Sequence, residues 1–184
     1  MGARLVYVVG ASGVGKDSVL AALRASLQAG ERIAVAHRYI TRPVAAEGEN
    51  HVALSEAEFH LRREAGCFAL CWESHGLHYG VGREIEHWLA QDLTVLVNGS
   101  RAYWPEARRR FGAARLVEIT ASAETLRARL ARRGRESAPE QALRLARTQQ
   151  LAREPWQVDH SIRNESTISD AAWALKAWLG GLEP

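Results

Sequence analysis

Long hydrophobic runs and cysteines are both scarce in this sequence of 184 residues. No apolar run approaches the roughly 18 residues of a membrane-spanning helix, so we expect neither an integral membrane protein nor a membrane partner. The amino terminus lacks the apolar stretch and cleavage site of a signal peptide, which favours a cytoplasmic location. Cys67 and Cys71 are the two cysteines, and their spacing within an apolar run predicts buried thiols rather than a zinc site.

Lysine is nearly absent, because the basic residues are 22 arginines and two lysines. Residues 101–153 hold thirteen arginines and five glutamates, a net charge of +8, whereas the whole chain carries +3. A compositional bias explains the choice of arginine over lysine but not this clustering. The clustering predicts a polyanionic partner, either a nucleic acid or a phosphorylated small molecule.

The rest of the composition is typical of one globular domain. Hydrophobic residues make up 47% and charged residues 24% of the chain, which excludes a disordered protein. Short runs of β-branched residues predict strands at 5–9, 33–35, 94–97, 116–119 and 158–162, and apolar spacing predicts a closing helix that includes Ile168 and Leu179. The alternation of strands and helices predicts a parallel sheet covered by helices, with ligands at the carboxyl ends of its strands.

A glycine-rich motif follows the first of these strands. It matches the phosphate-loop pattern G-x-x-x-x-G-K-[ST] at every fixed place except the last, where Asp17 stands. Glycines let backbone N–H groups curl around a phosphate, the following helix directs its positive end at the same oxygens, and Lys16 reaches the β- and γ-phosphates. The motif therefore favours a phosphorylated small molecule over nucleic acid, and it predicts an ATP site formed by Gly10, Ala11, Ser12, Gly13, Val14, Gly15, Lys16, Asp17 and Ser18.

Asp17 occupies the place where a Ser or Thr hydroxyl usually binds Mg²⁺. Either its carboxylate is the metal ligand, or Ser18 takes part through a shifted loop. Because a hard cation readily accepts carboxylate oxygen, we favour Asp17. The predicted cofactor is Mg²⁺, with ATP as a co-substrate.

A second set of arginines lies at 132–147 and predicts a lid. Phosphoryl transfer needs cations that close over the transferring group and stabilise its oxygens. We predict that Arg133 and Arg144 do this and are catalytic together with Lys16. For any single arginine of the set, a solvated basic surface is the alternative interpretation.

With these motifs the sequence resembles the guanylate kinase-like P-loop kinases over nearly its whole length. The segments GASGVGKDS, TRP, GENH, HYGVG and RLARRGRE carry the resemblance. The segments GKDS, HRYITRP, GENHVALS and VNGSRAY are more closely similar to the ribose 1,5-bisphosphate phosphokinases of phosphonate utilisation. The resemblance implies a three-layer α/β/α fold of the P-loop NTPase type and phosphorylation of ribose 1,5-bisphosphate to 5-phosphoribosyl 1-diphosphate. It also implies a single kinase domain, with a core at 1–40 and 83–184 and an acceptor-binding insertion at 41–82.

The resemblance further implies how the acceptor is held. Arg42 and Tyr79 look like phosphate-holding members, and Arg38 is a rival for Arg42. Leu70 and Val81 fall where guanylate kinases have the Glu and the Ser or Thr that read guanine, which predicts poor use of GMP. The acceptor-binding set comprises His37, Arg38, Arg42, Tyr79, Asn98, Ser100 and Arg101. In this set Asn98 replaces the acidic strand end of guanylate kinases, and outside it Asn164 resembles the segment that contacts adenine in related kinases.

Two other functions stay open at this point. One is guanylate kinase or another nucleoside monophosphate kinase with relaxed acceptor choice. The other is a guanylate kinase-like interaction module without catalysis, against which the intact Lys16 and lid arginines argue. A homodimer is also left open, because Trp173 and Trp178 on the final helix are either core, which we favour, or dimer surface.

Overall fold

The computed structural model describes residues 4–43, 50–133 and 157–182. In chain order its strands are β1 (Arg4–Val9), β2 (Ile33–Val35), β3 (Arg38–Ile40), β4 (His51–Ala53), β5 (Phe68–Ser74), β6 (Leu77–Gly82), β7 (Thr94–Asn98), β8 (Arg115–Thr120) and β9 (His160–Arg163). Its helices are α1 (Lys16–Ser26), α2 (Glu56–Glu64), α3 (Glu84–Ala90), α4 (Trp104–Arg110), α5 (Ala123–Arg133) and α6 (Ile168–Gly180), with a 3₁₀ turn at Arg101–Tyr103.

The larger sheet confirms the predicted parallel architecture. Its five strands lie in the order β2-β7-β1-β8-β9, and every neighbouring pair is parallel. Five of the six residues of β1 are buried, as expected for a central strand covered on both faces. The register places Asn98 of β7 beside Val8 of β1, so the carboxyl end of β7 lies next to the glycine-rich segment.

Alternate residues of the central strands enter two separate cores. Val6 and Val8 pack with α1 and α6 on one face, while Tyr7 and Val9 pack with α3 and α4 on the other. Each fully buried aliphatic side chain contributes about 1.5–3 kcal/mol through removal from water. The three layers are therefore α, β and α, as predicted.

The second sheet lies between β2 and α3 in the chain and has the order β4-β3-β6-β5. Strands β5 and β6 form an antiparallel hairpin, β6 pairs antiparallel with β3, and β3 pairs parallel with β4. Phe59 of α2 stacks on Phe68 at 4.7 Å between ring centroids and covers this sheet. The sheet begins at Arg38, whereas the insertion was expected to begin at 41.

Two expectations about buried side chains are wrong. Cys67 is exposed because it precedes β5, and Cys71 is half-buried. Trp173 is 72% exposed, whereas Trp178 packs against the core, since the two lie on different sides of α6. Within the described ranges, no helix combines the length and the apolar composition that crossing a membrane requires.

Candidate active site

The segment Gly10–Gly15 connects the end of β1 to the start of α1 as the strand-loop-helix motif requires. Gly13 and Gly15 have φ values of 88° and 95°, in the left-handed region that favours glycine. Lys16, the first residue of α1, folds back over the loop and donates from Nζ to the carbonyl oxygens of Gly10 at 2.7 Å and Ala11 at 3.1 Å. The lysine side chain is thus held over the glycine-rich loop.

Two side chains from outside the motif hold the loop through the carbonyl oxygen of Val14. Asn164, which follows β9, is fully buried and donates from Nδ2 to the carbonyl oxygen of Val14 at 2.7 Å. Arg129 of α5 donates to the same oxygen at 3.1 Å and to Asn164 Oδ1 at 3.3 Å. A Cβ at Gly15 would lie 2.6 Å from Asn164 Nδ2, which gives a second reason for glycine there.

This arrangement gives the Asn164 side chain a structural role. Its amide is enclosed and bonded to Val14 and Arg129, so it supports the loop. β9 lies at the sheet edge beside β8, which brings the residue after it to the loop. Contact of the Asn164 segment with adenine stays a prediction. Arg129 was not among the residues predicted from the sequence; its place three residues after Leu126, on the same side of α5, was the available signal.

Asp17 is the centre of a polar cluster that joins the two sheets. Its Oδ1 accepts a hydrogen bond of 2.6 Å from Asn98 Nδ2 and one of 2.9 Å from the Arg38 guanidinium. Asp17 is the second residue of α1, Asn98 is the last residue of β7 in the larger sheet, and Arg38 is the first residue of β3 in the second sheet. The structure therefore brings a residue predicted for the metal into contact with two residues predicted for the acceptor.

The donor set of this cluster fits a magnesium ion. The Asp17 side chain is 46% exposed and can offer oxygen to a cation that arrives with phosphates and water. Asn98 is buried, and among the described residues its Oδ1 has no hydrogen-bond partner. Because a carboxylate only accepts, Asn98 Nδ2 must face Asp17, which leaves the amide oxygen for another cation or donor. Ser18, the rival ligand, is exposed on α1.

Tyr7 holds the backbone that follows Asn98. Its hydroxyl donates to the Ser100 carbonyl oxygen and accepts from the Ser100 N–H, both at 3.1 Å. A Cβ at Gly99 would collide with the Tyr7 ring, so the close approach requires glycine. Burial raises the pKa of Tyr7 above its usual range, and the phenol stays protonated as a donor.

Arg38 also contacts an aromatic pair of the second sheet. Its guanidinium lies over the Tyr79 ring at 5.6 Å from the centroid, and Tyr79 stacks on Trp72 at 5.5 Å. His37 Nε2 lies 3.5 Å from a carboxylate oxygen of Glu84, a residue that the sequence analysis did not select. Arg42 is half-buried after the end of β3.

Leu70 and Val81 are packed inside the protein. They are cross-strand partners in the β5–β6 hairpin, and their exposed fractions are 1% and 0%. Both belong to the core cluster on the Tyr7 face of the larger sheet. The two side chains are therefore part of the hydrocarbon core and offer no hydrogen-bonding group to a ligand.

The remaining predicted residues fall outside this cluster. Arg101 forms an ion pair with Glu118 of β8, and the two side chains are 11% and 19% exposed. The turn after β7 directs this side chain to β8, and the acceptor role of Arg101 stays a prediction. Arg144 lies outside the described residues, and of Arg133 only its place at the end of α5 is described.

Comparison with known proteins places this architecture in a family. The chain is 52% identical over 176 residues to ribose 1,5-bisphosphate phosphokinase PhnN of Laribacter hongkongensis, covering 96% of this chain and 42% of that longer protein. It is 48% identical over 177 residues to the protein of the same name from Chromobacterium violaceum, covering 96% of this chain and 94% of that protein. The chain belongs to the ribose 1,5-bisphosphate phosphokinase family. No protein-family model matches it.

The fold agrees with this assignment and with the guanylate kinase-like architecture. A crystal structure of guanylate kinase from Anaplasma phagocytophilum superposes with a TM-score of 0.68 over 98% of this chain and 85% of that chain. The sequence identity in this comparison is 19%, so it shows the shared fold alone. The chain is thus a kinase-family member with a guanylate kinase-like fold.

Proposed function

We propose that this protein transfers the γ-phosphoryl group of ATP to the 1-phosphate of ribose 1,5-bisphosphate, which yields ADP and 5-phosphoribosyl 1-diphosphate. The observation that carries the proposal is the contact between Arg38 and Asp17 at 2.9 Å. It places a cation of the second sheet within hydrogen-bond distance of the donor loop's helix. An acceptor phosphate held by Arg38 is therefore adjacent to the site of the terminal phosphate of ATP. The relatives named above support the choice of substrate.

The reaction needs position and positive charge more than proton transfer. An oxygen of the 1-phosphate attacks the γ-phosphorus, and a new P–O bond forms as the bond to the β–γ bridging oxygen breaks. That attacking oxygen is ionised at neutral pH, so no catalytic base is needed. Lys16 and the loop N–H groups hold the donor phosphates, while Arg38 holds the acceptor near them. The product fits a place in phosphonate breakdown, as the sequence resemblance implies.

Asp17 is the proposed protein ligand of Mg²⁺, with Asn98 beside it. When bound, Mg²⁺ would neutralise negative charge on the phosphates of ATP. The residues that would hold it are a partly exposed carboxylate and an amide whose buried oxygen has no hydrogen-bond partner among the described residues. Mg²⁺ is usually held by one or two carboxylates together with substrate phosphates, which this pair provides.

The second sheet accounts for the choice of a sugar phosphate over a nucleotide base. Leu70 and Val81 offer no polar group to guanine, whereas Arg38 and Tyr79 provide a cation on an aromatic face. His37 and Arg42 are proposed to complete the sites for phosphates and hydroxyls around β3. Arg133 and Arg144 remain proposed lid arginines that neutralise the transferring group.

The first prediction is tested with an acceptor panel. ADP release is measured with ribose 1,5-bisphosphate, GMP, AMP and ribose 5-phosphate, and phosphorus NMR identifies the products. We expect kcat/KM for ribose 1,5-bisphosphate to exceed that for GMP by about a hundredfold, because the base-reading groups are missing. The spectrum should show a diphosphate on C1 of the sugar.

Lys16→Ala is the control for this assay. It should abolish ADP release for every acceptor while thermal unfolding stays close to that of the parent, because Lys16 is only partly buried at the start of α1. GMP turnover equal to that of the bisphosphate would instead identify a nucleoside monophosphate kinase. No turnover with any acceptor would favour a non-catalytic module.

A further inference from the structure

We infer that the two metal-holding side chains of this protein have exchanged places relative to the usual P-loop arrangement. The carboxylate has moved to the start of α1 as Asp17, and the neutral oxygen has moved to the end of β7 as Asn98. The inference rests on the proposed function, because it concerns the metal that accompanies ATP. The proposed function gives Asp17 and Asn98 separate roles. The inference adds that the identity of each residue depends on the identity of the other.

The usual arrangement uses two fixed locations. A Ser or Thr hydroxyl directly after the loop lysine holds Mg²⁺ together with an Asp carboxylate on a second strand. Here the residue after Lys16 is Asp17, and the neighbouring strand β7 ends in Asn98. The carboxylate thus stands where the neutral oxygen is usual, and the neutral oxygen stands where the carboxylate is usual. The pair still supplies one of each.

Direct contact shows that the two changes belong together. Asn98 Nδ2 donates to Asp17 Oδ1 at 2.6 Å, and Asn98 is only 4% exposed. A carboxylate at the buried end of β7 would meet the Asp17 carboxylate at this distance, where two like charges repel. Asn98 is therefore the residue type that tolerates Asp17, and Asp17 is the carboxylate that a site with Asn98 needs.

Reciprocal substitution is the test. Four proteins are compared: the parent, Asp17→Ser, Asn98→Asp and the double variant Asp17→Ser/Asn98→Asp. Binding of a non-hydrolysable ATP analogue is measured by calorimetry with Mg²⁺ and with a chelator, in the absence of any acceptor. Thermal unfolding of each protein is followed in parallel.

We expect Mg²⁺ to tighten binding of the analogue to the parent by about tenfold or more. Asp17→Ser should lose this gain because the site then has no carboxylate. Asn98→Asp should also lose it and unfold at a lower temperature, because it places two carboxylates in contact. The double variant should recover the Mg²⁺ gain to within about threefold of the parent, and its unfolding temperature should return towards the parent value.

Glu56→Ser is the matched control, since it removes an exposed carboxylate from the first turn of another helix, α2. It should leave the Mg²⁺ gain unchanged. If the double variant loses the Mg²⁺ gain by the sum of the two single losses, the inference is wrong. It is also wrong if Asp17→Ser keeps the full Mg²⁺ gain. Asp17→Asn offers a second single variant if Asn98→Asp does not fold.

The outcome is separable from that of the proposed function. The binding measurement contains no acceptor, so the exchange can be confirmed even if the acceptor panel identifies another phosphate acceptor. Conversely, turnover of ribose 1,5-bisphosphate by the parent can be established even if the double variant shows no recovery.

Discussion

Arg101 is a residue for which the sequence and the structure give different roles. The resemblance to related kinases predicts that it binds the acceptor, whereas the structure pairs it with the partly buried Glu118. We predict that Arg101→Met lowers the free energy of unfolding by roughly 3 kcal/mol, because it leaves the glutamate charge without its partner. Adding Glu118→Leu should recover most of that loss, as measured by denaturant unfolding.

The KM for the acceptor distinguishes the two roles of Arg101. If the arginine is structural, the KM of Arg101→Met/Glu118→Leu stays near that of the parent. A KM that remains at least about tenfold higher in a double variant of restored stability would return Arg101 to the acceptor site.

At the scale of an element, helix α6 begins with a capping box. The Thr167 hydroxyl accepts from the Asp170 N–H at 3.1 Å, and the Asp170 carboxylate accepts from the Thr167 N–H at 3.2 Å. Hydrogen bonds from the side chains of Thr167 and Ser166 and from the Thr167 N–H lower the pKa of Asp170. Because α6 packs against α1, which follows the phosphate loop, a stable first turn of α6 helps to hold that loop in place.

This lowered pKa predicts how the cap responds to acid. A carboxyl whose pKa is lower in the folded state stabilises that state above its unfolded pKa of about 3.9 and loses this effect as the pH falls through the folded value. Asp170→Asn should therefore melt at a lower temperature than the parent near neutral pH. The difference should narrow in the acid range below about pH 4. A constant difference between pH 3 and pH 7 would contradict the prediction.

At the scale of the whole molecule, the sequence predicts the elements better than their assembly. Runs such as Leu5–Val9 and Thr94–Val97 locate strands to within a residue, because continuous β-branched segments have few other stable structures. Periodicity does not give strand order, so it cannot place β7 beside β1. It also does not show that β3 leaves the larger sheet to begin the second one at Arg38.

For the candidate site as well, the sequence predicts local features better than contacts between distant residues. The phosphate loop was recognisable because its function depends on local spacing. The contacts of Asp17 with Asn98 and Arg38 join residues 81 and 21 positions apart in the chain, so only the fold reveals them. From the sequence, Tyr7 is an ordinary core residue of a strand. No neighbouring residue in the sequence indicates that its hydroxyl bonds to Ser100.

The contact between Arg38 and Asp17 has a consequence for the hydrolysis of ATP. When a kinase holds ATP without its acceptor, water can attack the terminal phosphate, and ATP is hydrolysed without forming the product. In the structure the Arg38 guanidinium donates to Asp17 at 2.9 Å, and an acceptor phosphate would compete for the same guanidinium. We therefore predict that Arg38→Met hydrolyses ATP faster than the parent in the absence of acceptor, measured as phosphate release.

Arg62→Met is the control for this prediction, because Arg62 also covers a tyrosine ring of the second sheet, that of Tyr39, at 5.4 Å. It should leave the background hydrolysis unchanged. Equal rates for Arg38→Met and the parent would show that the contact does not restrain hydrolysis. The expected difference would mean that one arginine both recruits the acceptor and protects the cell's ATP until that acceptor arrives.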